Sequence, residues 1–163
     1  MKYWSVKNNQ PQETIDFRAL GLTEWEYRVL LNRGLDTKNA IEEYIHPSME
    51  HIASPITMKD MVKAGNILQS VKGKVRIVGD YDCDGTMSTT ILLKGLKGLG
   101  YDVDYDIPHR RKDGYGMQVE MADEAAKDGV ELIITCDNGI AQFDAIRRCK
   151  ELGIKVIVID HHQ

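Results

Sequence analysis

Several things are missing from these 163 residues: long hydrophobic runs, repeats, low-complexity tracts, a disulfide-type cysteine pattern and an excess of basic charge. No apolar stretch approaches the roughly 20 residues needed to cross a bilayer, so no membrane span is expected. The first residues carry no basic stretch followed by an apolar core, so no signal peptide is expected either. Cysteine is confined to Cys83, Cys136 and Cys149, an odd number with no Cys-x-x-Cys. That argues against a disulfide framework and for a reducing, cytoplasmic setting. The net charge of −4 is not the electrostatic footprint of a simple nucleic-acid binder.

The chain does hold enough apolar material for a core. Hydrophobic residues make up 42% and charged residues 28%, which suits one ordinary domain with a helical arm. The charge is divided unevenly. Residues 1–74 carry net +1 and residues 75–163 net −5. The acidic excess of the second part needs a cause.

Residues 1–58 read as a helical N-terminal arm. Thr23 and Glu26 have the spacing of a capping box, for a helix running to Asn32 or Arg33 and stopped by Gly34. Thr37 caps a second helix that ends near Ile45, before Pro47. Residues 58–71 have apolar positions near helical spacing. From residue 75 the pattern becomes alternating: strands near 75–78, 101–107, 131–136 and 154–159, with helices over 86–99, 117–127 and 140–152. Such alternation predicts an α/β fold, a parallel Rossmann-like sheet with helices on both faces. The runs near 77, 133 and 157 are apolar almost throughout, as interior strands are. Residues 101–107 alternate strictly, which predicts an edge strand with Asp102, Asp104 and Asp106 on its solvent face. Cys83 and Cys136 read as small buried residues.

Three of the interior strands run directly into acidic segments: Asp80-Tyr81-Asp82-Cys83-Asp84-Gly85, Asp137-Asn138-Gly139 and Asp160-His161-His162. In a parallel sheet these ends share one edge, where open α/β sheets bind ligands. A single Asp there could merely cap the next helix. Several carboxylates converging on one place raise one another's pKa values unless cations relieve the conflict. Oxygen donors with an imidazole suit Mn²⁺ or Mg²⁺. Two such ions sharing a carboxylate form a clamp suited to phosphoryl transfer. A calcium EF-hand loop starting at Asp80 is excluded. Its twelfth position is Ile91, and a strand rather than a helix precedes it.

The segment 107–116, Ile-Pro-His-Arg-Arg-Lys-Asp-Gly-Tyr-Gly, follows the edge strand. Arg110 and Arg111 could hold an anionic substrate, and Tyr115 between Gly114 and Gly116 could offer a stacking face to a base. A solvated turn is the alternative.

Taken in order, these motifs resemble the DHH phosphoesterase superfamily, named for the tripeptide at 160–162. Within it the chain is similar to 5′→3′ single-strand-specific DNA exonucleases of DNA repair and recombination. The similarity extends into the arm, through Leu-Leu-Asn-Arg-Gly-Leu (30–35) and Pro-Ile-Thr-Met-Lys-Asp-Met (55–61). It implies that Asp80, Asp82 and Asp84 are metal ligands from the first motif. Asp137 becomes a bridging ligand and His161 a ligand of the second ion. Asp160 would orient His161, and His162 would face the scissile phosphate. Asp82, Asp84, Asp137, His161 and His162 are thus the expected catalytic set, with Mn²⁺ or Mg²⁺ as cofactor and single-stranded DNA as partner.

The resemblance also implies a further metal-ligating Asp and a second domain beyond residue 163. Residues 59–163 are therefore expected to form only the first part of the phosphoesterase domain. Weak metal binding, little cleavage and self-association through exposed apolar sheet surface are expected for this chain. Two other readings stand beside this one. A phosphodiesterase or pyrophosphatase acting on small nucleotides would turn over dinucleotides but not longer strands. A receiver-like signalling domain also gathers Asp at a sheet edge but has no use for paired histidines there.

Overall fold

The structure is a computed structural model describing residues 3, 5, 7–112 and 114–162. The chain divides into two compact units, Met1–Thr57 and Met58–Gln163.

The first unit is small and helical. Helix α1 spans Glu24–Asn32 and helix α2 Lys38–Ile45, followed by single turns of 3-10 helix at Met49–His51 and Pro55–Thr57. The capping box forms as the spacing predicts: Thr23 Oγ1 accepts from the Glu26 N–H, and Glu26 accepts from the Thr23 N–H at 2.8 Å. Gly34 then stops α1 at φ 89°, which a Cβ would disfavour. Ile15, Leu30 and Ile41 are the buried centre of this unit.

The second unit is a three-layer α/β structure. Helix α3 spans Met61–Ser70, strand β1 Lys74–Val78, helix α4 Cys83–Gly98 and strand β2 Val103–Asp106. Helix α5 (Val119–Lys127), strand β3 (Val130–Cys136), helix α6 (Phe143–Glu151) and strand β4 (Lys155–Ile159) follow. All strand pairs are parallel, in the order β2-β1-β3-β4. Alternation along the strands splits the core. Ile77, Leu132, Ile134 and Cys136 pack with Leu96 of α4 on one face. Ile133 and Val130 pack with Ala122, Ala125, Ala145 and Cys149 of α5 and α6 on the other.

Several boundaries differ from the sequence reading for local reasons. Helix α3 starts at Met61 rather than 58 because Asp60 adopts a left-handed conformation, φ 56°. Helix α6 starts at Phe143 rather than 140 because residues 139–142 form a turn, with the Gln142 N–H bonded to the Gly139 carbonyl. Helix α4 starts three residues early, inside the acidic segment. β4 is an edge strand among the described residues, not an interior one; Lys155–Val158 are half-buried and Ile159 is exposed. Cys83 is exposed at the start of α4, whereas Cys136 is fully buried; all three cysteines are free thiols.

The acidic face of β2 is not simply solvated. Arg76, in the middle of β1, is 8% exposed and lies in register with Asp104. Its guanidinium donates to both Asp104 oxygens, at 2.9 and 2.7 Å, and to Asp128 at 2.8 Å. The Arg76 hydrogen bonds lower the Asp104 pKa, against the effect of burial, and Lys74 adds to this. A depressed carboxyl contributes stability that is present above its unfolded value, near pH 4, and is lost as pH falls through the lower folded value. Asp104→Asn is therefore expected to flatten the acid-side loss of stability below about pH 4. Unfolding midpoints measured by circular dichroism from pH 6 down to 2 check this; an unchanged pH profile would contradict it.

Candidate metal centre

The strand order makes neighbours of the three acidic ends. β2 lies on one side of β1 and β3 on the other, so the chain reverses direction across the sheet between β1 and β3. Open α/β sheets bind ligands beside such a reversal, outside the carboxyl ends of the strands.

β1 delivers Asp80, which is 2% exposed. Its Oδ1 is one of only two buried side-chain oxygens that lack a hydrogen-bond partner among the described residues. A buried carboxylate oxygen left without a donor is costly unless a cation takes the place. Asp82 caps α4, its Oδ1 accepting from the Gly85 N–H at 2.9 Å. The capping reading is thus realised, and it aims the acidic loop. Gly85 brings the first turn of α4 against the Asp80 backbone: an added Cβ would stand 2.5 Å from the Asp80 carbonyl oxygen and 2.6 Å from its Cβ. Gly85→Ala is expected to push Asp80 out of place. A loss of about 1–3 kcal/mol in chemical denaturation should accompany a weaker affinity for Mn²⁺. Unchanged values for both would contradict this account of the glycine.

β3 delivers Asp137 in a left-handed conformation, φ 61°, which Asp tolerates better than most residues. Its N–H extends the β3–β4 ladder to the Ile159 carbonyl at 2.9 Å. Beside it Asn138 is fully buried and not a candidate on sequence grounds. Its amide donates to the Val78 and Cys136 carbonyls at 3.1 and 2.9 Å, tying the ends of β1 and β3 together, and its oxygen accepts from the Met117 N–H.

β4 delivers the histidine pair. His161 Nε2 lies 3.0 Å from Asp137 Oδ1. Asp160 holds His162, not His161: its Oδ1 is 2.7 Å from His162 Nδ1, while its Oδ2 accepts from the Ile140 N–H. A carboxylate only accepts, so Nδ1 of His162 carries the proton and Nε2 remains the other ring nitrogen. The two rings stack with centroids 4.4 Å apart.

Two groups of possible ligands result. Asp80, Asp82 and Asp137 each offer an oxygen within 4.8 Å of the others, and Asp137, His161 and His162 do likewise. Asp137 belongs to both. Asp84 joins neither group; it is exposed in the first turn of α4. The charges are in tension. Burial raises the Asp137 pKa, and the neighbouring Asp82 raises it further, while the Gly85 N–H holds Asp82 below its usual range. Burial also works against ionised Asp160, but the N–H groups of Ile140 and His162 outweigh it and lower its pKa. The Asp160 bond in turn raises the His162 pKa. An all-oxygen set on one side and an oxygen-imidazole set on the other fit hard divalent ions of the Mn²⁺ or Mg²⁺ kind.

The residues expected to bind substrate are placed unequally. Arg110 lies over the Tyr81 ring at 5.4 Å, beside the acidic loop. Arg111 is exposed, its N–H bonded to His109 Nδ1. Gly114 and Gly116 both have positive φ, 83° and 76°, and flank Tyr115. The Tyr115 hydroxyl donates to the Asp137 carbonyl at 2.8 Å and its ring stands edge-on to His162. Burial, then the Asp160, Asp80, Asp137 and Asp82 charges, push this phenol up to about 12, so it stays a donor. No sequence signal tied the tyrosine hydroxyl to the acidic cluster.

Known proteins resemble this chain in sequence and fold. The single-stranded-DNA-specific exonuclease RecJ of Bacillus subtilis is 37% identical over 147 residues, covering 88% of this chain and 19% of that relative. A crystal structure of exonuclease RecJ bound to manganese superposes with a TM-score of 0.62 and 36% identity, covering 69% of this chain and 30% of the other. RecJ of Thermus thermophilus in complex with Mn²⁺ gives 0.60 and 30% identity, with 82% and 18% covered. The chain spans about a fifth of the length of the curated relatives it matches. Among the described residues no helix is long and apolar enough to cross a membrane. The DHH family, N-terminal domain, matches residues 74–163, more than half of the sequence, and this chain belongs to that family.

Proposed function

We propose that this chain carries the metal-centre portion of a 5′→3′ exonuclease that hydrolyses single-stranded DNA with two divalent ions. The observation behind the reading is the sharing of Asp137 between two ligand groups. Asp80, Asp82 and Asp137 would hold one ion. Asp137 and His161 would hold the second, with His162 in reach of the same place. Bound Mn²⁺ or Mg²⁺ supplies Lewis-acid activation of water and neutralises charge developing on the phosphoryl group.

The protein's own groups do the rest. Asp160 orients the His162 ring and favours its protonated form, which suits an anionic phosphate beside it. Arg110, over the Tyr81 ring, adds a positive charge near the acidic loop, and the exposed Arg111 a second. Tyr115 is 43% exposed, so part of its ring is open to a base. The names of the relatives support single-stranded DNA as substrate. The three free thiols suit a cytoplasmic setting.

Mn²⁺ binding followed by electron paramagnetic resonance, together with release from 5′-labelled oligonucleotides, tests the proposal. Mn²⁺ binding and Mn²⁺-dependent release are expected, with both signals lost in Asp137→Asn. No Mn²⁺ binding, or release that ignores Mn²⁺, would sink the reading. Turnover of dinucleotides without longer strands would move the assignment to small nucleotides. The half-buried apolar edge at β4 is also expected to drive concentration-dependent self-association; a monomer at all concentrations in sedimentation would count against it.

A further inference from the structure

A groove of about 320 Å³ opens between the starts of α5 and α6. Tyr115 lines it, and the same residue bonds to Asp137, so the groove adjoins the metal centre. Its walls carry one charge, Asp144, which is paired with Arg147 at 2.9 Å. A phosphate would find no cation among these lining residues. Phe143 stands at the mouth with 69% of its surface exposed and no ring partner among the described residues.

Two amides complete the groove, each pinned by one end. Gln118 Nε2 donates to the carbonyls of Tyr115 and Gly116, at 3.2 and 2.9 Å, and its Oε1, the acceptor of the α5 capping box, keeps a second lone pair. Gln142 Oε1 accepts from the Gly139 N–H at 2.9 Å, and its Nε2, packed against Gly116, is the donor end. Held this way, the two side chains present an acceptor and a donor whose orientations are already set. Nucleobases carry matching donors and acceptors on their Watson–Crick edges and a π-face for Phe143.

We propose that this groove is a nucleobase-binding subsite, with the base stacked on Phe143 and its edge read by Gln118 and Gln142. The proposal rests on the nuclease reading, since it places a base of the substrate strand next to the metal centre. Its recognition is of the base alone, so it can be tested without metal or cleavage.

Titration of the ¹⁵N-labelled chain with thymidine or deoxyadenosine in EDTA tests it. The expected result is saturable movement of the Gln118 and Gln142 side-chain amides and of the Phe143 backbone signal. Phe143→Ala should weaken the response about 5- to 100-fold, and Phe143→Trp should restore it. Deoxyribose 5-phosphate, which has no base, should leave the groove signals in place. Nucleosides that leave the groove unmoved, or a sugar phosphate that moves it equally, would overturn the subsite. The two proposals fail separately. Mn²⁺-dependent cleavage with an unresponsive groove removes only the base subsite, and a responsive groove without Mn²⁺ binding removes only the nuclease.

Discussion

Asp137→Asn is expected to remove Mn²⁺ from both positions at once, with apparent affinities falling by more than about 100-fold. Asp80→Asn or His161→Ala should each spare one position, because Asp137 alone belongs to both ligand groups. Asparagine is the informative replacement. It tolerates the left-handed backbone at φ 61° and can still accept from His161, so the fold is kept while the charge is lost. Without metal the variant should be as stable as the parent or more so, since burial and Asp82 both disfavour the ionised Asp137. Calorimetric Mn²⁺ titrations paired with thermal unfolding in EDTA separate the two effects. Loss of a single position only, or a clear drop in metal-free stability, would contradict the bridging role.

The second large effect belongs to Arg76, far from any chemistry. Arg76→Ala is expected to destabilise the chain by about 2–3 kcal/mol. That is below the 3–5 kcal/mol typical of breaking a fully buried pair, because Asp104 and Asp128 can recover water. Their side chains keep 32% and 51% of their exposure. For a chain of this size such a loss lowers the unfolding midpoint by roughly 5–10 °C. Arg76→Met fills more of the same space and should cost less than alanine. A midpoint for Arg76→Ala within a degree of the parent would show that the three-way ion pair contributes nothing.

Much of this architecture was legible in the residues. The capping box at Thr23 and Glu26, the glycine stop at 34 and the alternation of strands and helices depend on local spacing, and local spacing is what a sequence displays. Convergence of Asp80, Asp82, Asp137, His161 and His162 needed one further premise, that parallel strands share an edge. The details that escaped are tertiary. Arg76 lies in a run that is otherwise apolar, and its partner Asp104 is set by register across the sheet, which local spacing does not display. Asp160 was expected beneath His161, but the turn at 160–162 brings its carboxylate back to the N–H and ring of His162. Asp84 shares a motif with Asp82, yet the early start of α4 leaves it on an exposed helical turn. Helix α6 lost its first three expected residues to a turn held by Gln142, a side-chain contact that no hydrophobic period encodes.

The central claim is a pair of ion positions joined by one carboxylate. Anomalous scattering from crystals of this chain soaked in Mn²⁺ addresses it without reference to activity. Two peaks are expected, both in contact with Asp137, one shared with Asp80 and Asp82 and the other with His161. Peaks confined to other surfaces, or Mn²⁺ bound with Asp137 out of reach, would contradict it.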